Sequence, residues 1–258
     1  MNINYFALNT NKTVVVDKGR NLIHGPISGI LFDRASDSRW LTWSRDLDNL
    51  QNAIFIYDTK SNKRHQVTSG FYSDRLPVFD PEGKYLYYTT GRNFRPNYSD
   101  IEGTFIYANT TQVAAIPLTK DVPSPLLPKN DEVEIEEEES TVVDSGKKKG
   151  NDKPEKKNEN SVKIDLDGME ERTVILPIDA GNFAGLAATP GKLIYHQAPN
   201  TGSADFKAPL KYYDLKERES KNILDNVNAF EVSANDKKIA VYANRGIAVV
   251  NVQENQKI

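Results

Sequence analysis

Asp80-Pro81-Glu82-Gly83-Lys84-Tyr85-Leu86-Tyr87-Tyr88 is a tight polar turn, a basic residue and an apolar run. The turn residues suit a β-turn and the run suits a half-buried strand. The phrase returns as Ala35-Ser36-Asp37-Ser38-Arg39-Trp40-Leu41-Thr42-Trp43, as Ala188-Thr189-Pro190-Gly191-Lys192-Leu193-Ile194-Tyr195, and as Ser233-Ala234-Asn235-Asp236-Lys237-Lys238-Ile239-Ala240-Val241-Tyr242. The basic positions Arg39, Lys84, Lys192 and Lys238 follow one another at spacings of 45, 108 and 46 residues. A period near 45 with four strands per unit is that of a β-propeller blade. The spacing of 108 is one blade carrying an insertion.

Each phrase is followed by a second pair of strands. Ala53-Ile54-Phe55-Ile56-Tyr57-Asp58 leads through Thr59-Lys60-Ser61-Asn62 to Arg64-His65-Gln66-Val67-Thr68, and Leu210-Lys211-Tyr212-Tyr213-Asp214 leads to Lys221-Asn222-Ile223-Leu224. Residues 3–16 show this half alone, and residues 246–252 read as a third strand. The expected architecture is all-β: an incomplete β-propeller of about three full four-stranded blades plus two partial ones, forming a single domain over residues 1–258. The full blades start near Ile27, Arg75 and Phe183, and the last partial one near Asn228. The phrase strands 40–44, 85–89, 193–197 and 239–243 are expected to be equivalent inner strands of adjacent blades, with alternate residues buried between sheets. Such a chain begins and ends inside a propeller. Either the strands at 3–16 join the sheet of 228–252 and close a small ring, or the chain is a piece of a larger protein. An unclosed stack exposes faces and strand edges, so self-closure or a strand-swapped homo-oligomer is expected.

The second blade is interrupted twice. Residues 91–110 form a long loop rich in aromatics, and residues 119–161 form a larger insertion within the domain. Its start, Val122-Pro123-Ser124-Pro125-Leu126-Leu127-Pro128, reads as extended polyproline-like chain. Residues 131–160 hold 11 acidic and six basic side chains and only four large apolar ones, too few for a core, so disorder is expected there.

Charge and composition exclude several classes. Outside 131–160 the chain carries 27 basic and 25 acidic residues, too balanced for a dedicated nucleic-acid surface. No run of 18 apolar residues exists, so no membrane insertion by helix is expected. Cysteine is absent, which removes disulfides and thiolate chemistry. No Gly-x-Ser-x-Gly elbow is present, and Gly25-Pro26-Ile27-Ser28-Gly29 has the wrong spacing. His24, His65 and His196 share no ligand spacing. His65 is expected to face solvent on an outer strand, and His196 to border a pore at the end of a central strand. Asp165-Leu166-Asp167-Gly168 lacks the remaining ligands of a calcium loop and reads as a turn. No catalytic residue, cofactor site or metal site is expected.

The functional candidate is Gly91-Arg92-Asn93-Phe94-Arg95-Pro96-Asn97-Tyr98, directly after a central strand, where propeller loops reach a channel mouth. Arg92 or Arg95 is suited to hold a peptide carboxylate as a bidentate pair, with Asn93 and Tyr98 beside them.

Three segments resemble the propeller region of tricorn-type serine proteases: Phe71-Tyr72-Ser73-Asp74 with Pro77-Val78-Phe79-Asp80-Pro81-Glu82-Gly83-Lys84; Asp121-Val122-Pro123-Ser124-Pro125-Leu126-Leu127-Pro128-Lys129; and Lys163-Ile164-Asp165-Leu166-Asp167-Gly168-Met169-Glu170-Glu171-Arg172 continuing to Ala180-Gly181-Asn182-Phe183. The likeness covers nearly the whole chain. It implies a non-catalytic propeller that gates or guides peptides, or unfolded polypeptide, and docks to the protease's own helical, PDZ-like and peptidase domains, which this chain lacks. It also implies a cytoplasmic location, with periplasmic relatives as the alternative. A free-standing propeller of the Tol-associated type, serving as an interaction scaffold, is the competing expectation.

Overall fold

The computed structural model describes residues 2–7, 10–18, 32–128 and 161–258. Ser28, His24, the predicted blade start at Ile27 and the insert at 131–160 lie outside the described residues. The chain opens with a hairpin of β1 (Asn2–Ala7) and β2 (Lys12–Lys18). Blade I is the sheet β3 (Phe32–Arg34), β4 (Trp40–Asp46), β5 (Asn52–Asp58), β6 (Lys63–Gln66). Blade II begins with β7 (Asp74–Phe79) and β8 (Tyr85–Thr90). A miniature hairpin, β9 (Asn97–Tyr98) and β10 (Phe105–Ile106), interrupts it before β11 (Gln112–Pro117) and β12 (Val174–Ile175) complete the sheet in the order β7-β8-β11-β12. Blade III is β13 (Asn182–Thr189), β14 (Lys192–Ala198), β15 (Leu210–Asp214), β16 (Glu219–Leu224). Blade IV has three strands, β17 (Ala229–Val232), β18 (Lys238–Ala243) and β19 (Gly246–Asn251). Every pairing is antiparallel, and none of the described helices is long and apolar enough to cross a membrane.

The repeated phrase builds related corners: the longer turn recurs in blades I, II and IV, and blade III turns more tightly at Pro190-Gly191. The longer turn is closed by Ala35 N–H to the Trp40 carbonyl, Asp80 N–H to Tyr85 and Ser233 N–H to Lys238, at 3.0, 2.9 and 2.9 Å. The residue after the third strand then donates back to a carbonyl just before the second: Thr59 to Arg39, Leu118 to Lys84 and Leu215 to Gly191, at 3.0, 2.9 and 3.0 Å. The phrase strands β4, β8, β14 and β18 are therefore equivalent and lie in four separate sheets, each second in its blade.

Apolar faces stack blade on blade. Ile54, Ile56 and Trp40 meet Leu86, Tyr88 and Ile116 between blades I and II. Leu193, Tyr195 and Tyr213 meet Tyr85, Tyr87 and Val113 between II and III. Ile194, Tyr212 and Ile223 meet Ile239, Val241 and Val250 between III and IV. The expected alternation is corrected by this stacking. β5 and β8 are buried along their whole length, because both faces are covered. β18 alternates strictly, because only one of its faces has a neighbour.

The expected ring closure by the N-terminal strands is also corrected. β1 and β2 pair with each other, and their inner face (Ile3, Tyr5, Val16) stacks on Trp43, Phe55 and Tyr57 of blade I rather than extending blade IV. Asp17 fixes that position. Its buried carboxylate accepts from Trp43 Nε1 at 3.1 Å, Arg45 Nη1 at 3.0 Å and Arg64. The hairpin occupies the place of a preceding blade's outer strands.

Residues 161–173 run along the rim as a clamp between blades I and II. Val162 N–H donates to Asp37 Oδ2 at 2.9 Å, and Val162 O accepts from Trp40 Nε1 at 3.0 Å. The Asp165-Leu166-Asp167-Gly168 stretch turns at Gly168, which has φ +62, into a short 3-10 turn at Glu170–Arg172. Arg172 fastens this turn by donating to the carbonyls of Pro117, Asp165 and Asp167.

Candidate functional site

The first strand of each blade is the edge of its sheet, and the four edges β3, β7, β13 and β17 border one cavity of 820 Å³. Volumes of about 300–1,000 Å³ are usual for ligand sites. Contiguous stretches line it, including residues 76–81, 184–188 and 228–234, as expected where strand edges rather than single faces point inward.

Asp33 on β3 sits at the seam with blade II, where its Oδ2 accepts from Phe79 N–H at 2.7 Å. Burial raises the Asp33 pKa above the ordinary value; the Phe79 amide opposes this, and the charge of Glu231 adds to it. Asp80 is tied to its own turn by the Glu82 and Lys84 amides, and burial raises it also. Glu231 on β17 is exposed in the cavity wall and makes no hydrogen bond or ion pair among the described residues. His196 borders the cavity. Its Nε2 is engaged with the Val227 carbonyl at 2.8 Å, and the ring meets Phe230 edge-on, so it acts as a seam between blades. His65 is half-buried on β6 rather than solvent-facing, because it stands opposite Ile56.

The four sequence candidates separate. Arg92 folds back: its Nε donates to Thr90 Oγ1 at 3.2 Å, its guanidinium lies 4.7 Å over the Tyr72 ring, and Nη2 is 3.9 Å from Glu170. It helps line a shallow depression of 470 Å³ between blades I and II, floored by Val67 and Met169. Asn93 holds the base of its loop, with N–H to Thr110 O at 3.0 Å and Nδ2 to Asn109 O at 2.9 Å. Arg95 and Tyr98 are exposed further out. One convergent carboxylate clamp is therefore not formed, because Thr90 and Tyr72 hold Arg92 inward while the loop carries Arg95 away.

The loop bears a different feature. Phe94, Tyr98, Ile101, Phe105, Ile106 and Tyr107 are each at least half exposed. Tyr98 pairs edge-on with Phe105, and Phe94 packs at 5.3 Å from Tyr107, so the hairpin holds a defined shape with apolar groups facing outward. The cavity wall escapes a search for motifs. Ala184-Gly185-Leu186-Ala187-Ala188 has no chemical signature, and its only signal is position, directly before a repeated phrase.

Comparison with known proteins agrees with this architecture. Tricorn protease homolog 1 of Streptomyces coelicolor is 23% identical over 236 residues, covering 88% of this chain and 21% of the relative. The tricorn protease of Thermoplasma acidophilum is 22% identical over 254 residues, covering 93% of this chain and 21% of the relative. The crystal structure of the tricorn protease superposes with a TM-score of 0.73 at 22% identity, over 97% of this chain and 23% of that one. The chain thus spans about a fifth of the length of these relatives. The family model described as tricorn protease second beta propeller domain matches residues 1–253, and the chain belongs to that family.

Proposed function

We propose that this chain is a non-catalytic propeller portion of a tricorn-like serine protease, working in the cytoplasm, that guides unfolded peptides and docks to the protease's other domains. The cavity framed by the four first strands carries this reading: it offers an 820 Å³ space lined by strand edges, which extended peptides can pair with. The exposed aromatic hairpin supports docking, since contiguous apolar surface of this kind marks interaction sites. Arg95 and Tyr98 are placed to meet an incoming chain, while Arg92 and Asn93 brace the loop that presents them. The peptidase chemistry belongs to segments outside this chain.

Fluorescence anisotropy with labelled, unstructured 12-residue peptides tests the guiding role. Saturable binding that is weakened by filling the cavity through Ala184→Trp is expected. Failure of every such peptide to bind, with the wild-type fold verified by circular dichroism, overturns it. The chain alone is expected to hydrolyse none of these peptides.

A further inference from the structure

We infer that the free edge of β13 is the rail on which an extended, basic polypeptide segment pairs as an added strand inside the cavity; this rests on the peptide-guiding reading above.

The four edges are not equivalent. β3 has three residues and β17 has four. β7 is broken by an irregularity between Arg75 and Val78, where Leu76 has φ +54 and Pro77 has no N–H to offer. β13 runs for eight residues, and its one irregularity lies at its start, between Phe183 and Gly185. The remaining stretch is regular from Gly185 to Thr189.

Pairing leaves specific groups free. β13 and β14 are joined by the two-residue turn Pro190-Gly191, and in such a hairpin the closing pair, Thr189 with Lys192, exchanges both hydrogen bonds. Bonded and non-bonded pairs alternate along antiparallel strands. Ala187 and Gly185 therefore bond to β14, while Leu186 and Ala188 turn their N–H and C=O groups to the open edge. No backbone or side chain among the described residues takes these groups.

Side chains leave room for a partner. Residues 184–188 all line the cavity, and four of the five are alanine or glycine. Leu186 packs with the core between blades II and III, and Ala187 with that between III and IV. Unpaired strand edges recruit extended peptides by main-chain hydrogen bonds, and the flanking pockets set side-chain preference.

Charge names the preference. Glu231 and Asp236 line the same cavity against the single guanidinium of Arg34, with Asp33 already bonded to the Phe79 amide and Asp80 tied to its turn. A peptide strand on β13 presents alternate side chains toward these carboxylates. Lysine or arginine there gains, and aspartate or glutamate is repelled.

The test uses the 258-residue chain and three labelled peptides of identical length. One is a Lys-rich unstructured sequence, the second has Glu at each Lys, and the third is the Lys-rich sequence N-methylated at every residue. N-methylation throughout removes the peptide's strand donors on both edges, so every register is blocked. Weakening by about tenfold or more is expected for the N-methylated form and for the Glu form. Glu231→Gln is expected to weaken the Lys-rich peptide about threefold and leave the N-methylated one unchanged. Equal affinity with and without N-methylation overturns the edge pairing while leaving peptide guiding intact. Equal affinity for Lys and Glu forms overturns the charge preference. Absence of binding by all peptides overturns the guiding reading itself.

Discussion

Asp17→Ala removes the one carboxylate that holds the N-terminal hairpin against blade I. The side chain is 4% exposed and accepts from Trp43 Nε1, Arg45 and Arg64. Trp43 is fully buried, so its indole N–H is left without a partner, at a cost of roughly 1–3 kcal/mol. The two arginines are 24% and 41% exposed and regain water when the carboxylate is gone, so their lost bonds add only about 1 kcal/mol. The expected loss is about 2–4 kcal/mol, or roughly 4–8 °C in Tm for a chain of this size. Asp17→Asn keeps an acceptor for Trp43 and should lose about half as much. Trp43 and Trp40 are the only tryptophans; Trp43 lies on this seam and Trp40 between blades I and II, so a partial red shift should accompany undocking. Hydrogen exchange should show β1 and β2 losing protection before blades II and III do. A melting temperature within 1 °C of wild type, with hairpin protection unchanged, would falsify the claim that Asp17 fastens the hairpin.

Asp37→Ala cuts the clamp between blade I and residue 162, since Asp37 accepts from the amides of both Arg39 and Val162; a loss of about 1–2 kcal/mol in thermal denaturation is expected, and no loss would show that Val162 is held by packing alone. Arg92→Ala loses the stacking on Tyr72 and the bond to Thr90 and should destabilise by about 1 kcal/mol, whereas Arg95→Ala should leave Tm unchanged and weaken only peptide capture; the reverse pattern would contradict the placement of both side chains. Burial raises the pKa of Asp33, Asp74 and Asp80, so in the window from their raised values down to about 3.9 the folded state binds the extra protons and stability should rise as pH falls. Asp58 is held below the usual carboxylate range by the Arg39 hydrogen bonds, so its contribution, present above about 3.9, is lost as pH falls through its folded value; urea midpoints that decline steadily as pH falls from neutral to about 3.9 would show that the raised group of aspartates does not control stability there.

The turns and second strands were legible because their signal is local. A polar turn, a basic residue and a buried run sit within ten residues, and the backbone bonds of the corner repeat with the sequence. The first strands carry no such mark. Phe32-Asp33-Arg34 and Ala229-Phe230-Glu231-Val232 are short and mixed, because a strand edge facing a cavity needs no continuous apolar face. The clamp at 161–173 was equally silent, since Val162 works through its backbone N–H and C=O, which every residue possesses. Ring closure by β1 and β2 failed for a related reason. Their own hydrogen bonds are satisfied within the hairpin, and what places them is the side-chain seam of Asp17 with Trp43, Arg45 and Arg64, residues 26 to 47 positions away.

The basic residue of the repeated phrase serves the fold. Arg39 directly precedes its strand, and Lys192 and Lys238 are the first residues of theirs, yet each is spent on the fold. Arg39 makes a two-point bridge to Asp58 at the end of β5, at 2.8 Å for both contacts. Lys192 lies 4.5 Å over Tyr212 and donates to the Val252 carbonyl, while Lys238 donates to Asn251 at the end of β19. In these blades the basic residue ties the phrase to a later strand or its end, within the blade or across to the next. Function must then lie where the blades differ. Only β13 combines length, regularity and small side chains at the cavity edge, and only blade II carries the aromatic hairpin among the described residues. Two perturbations separate these roles: filling the cavity at Ala184 should weaken peptide binding and leave hairpin-mediated association intact, while Phe105→Ser and Ile106→Ser should do the opposite.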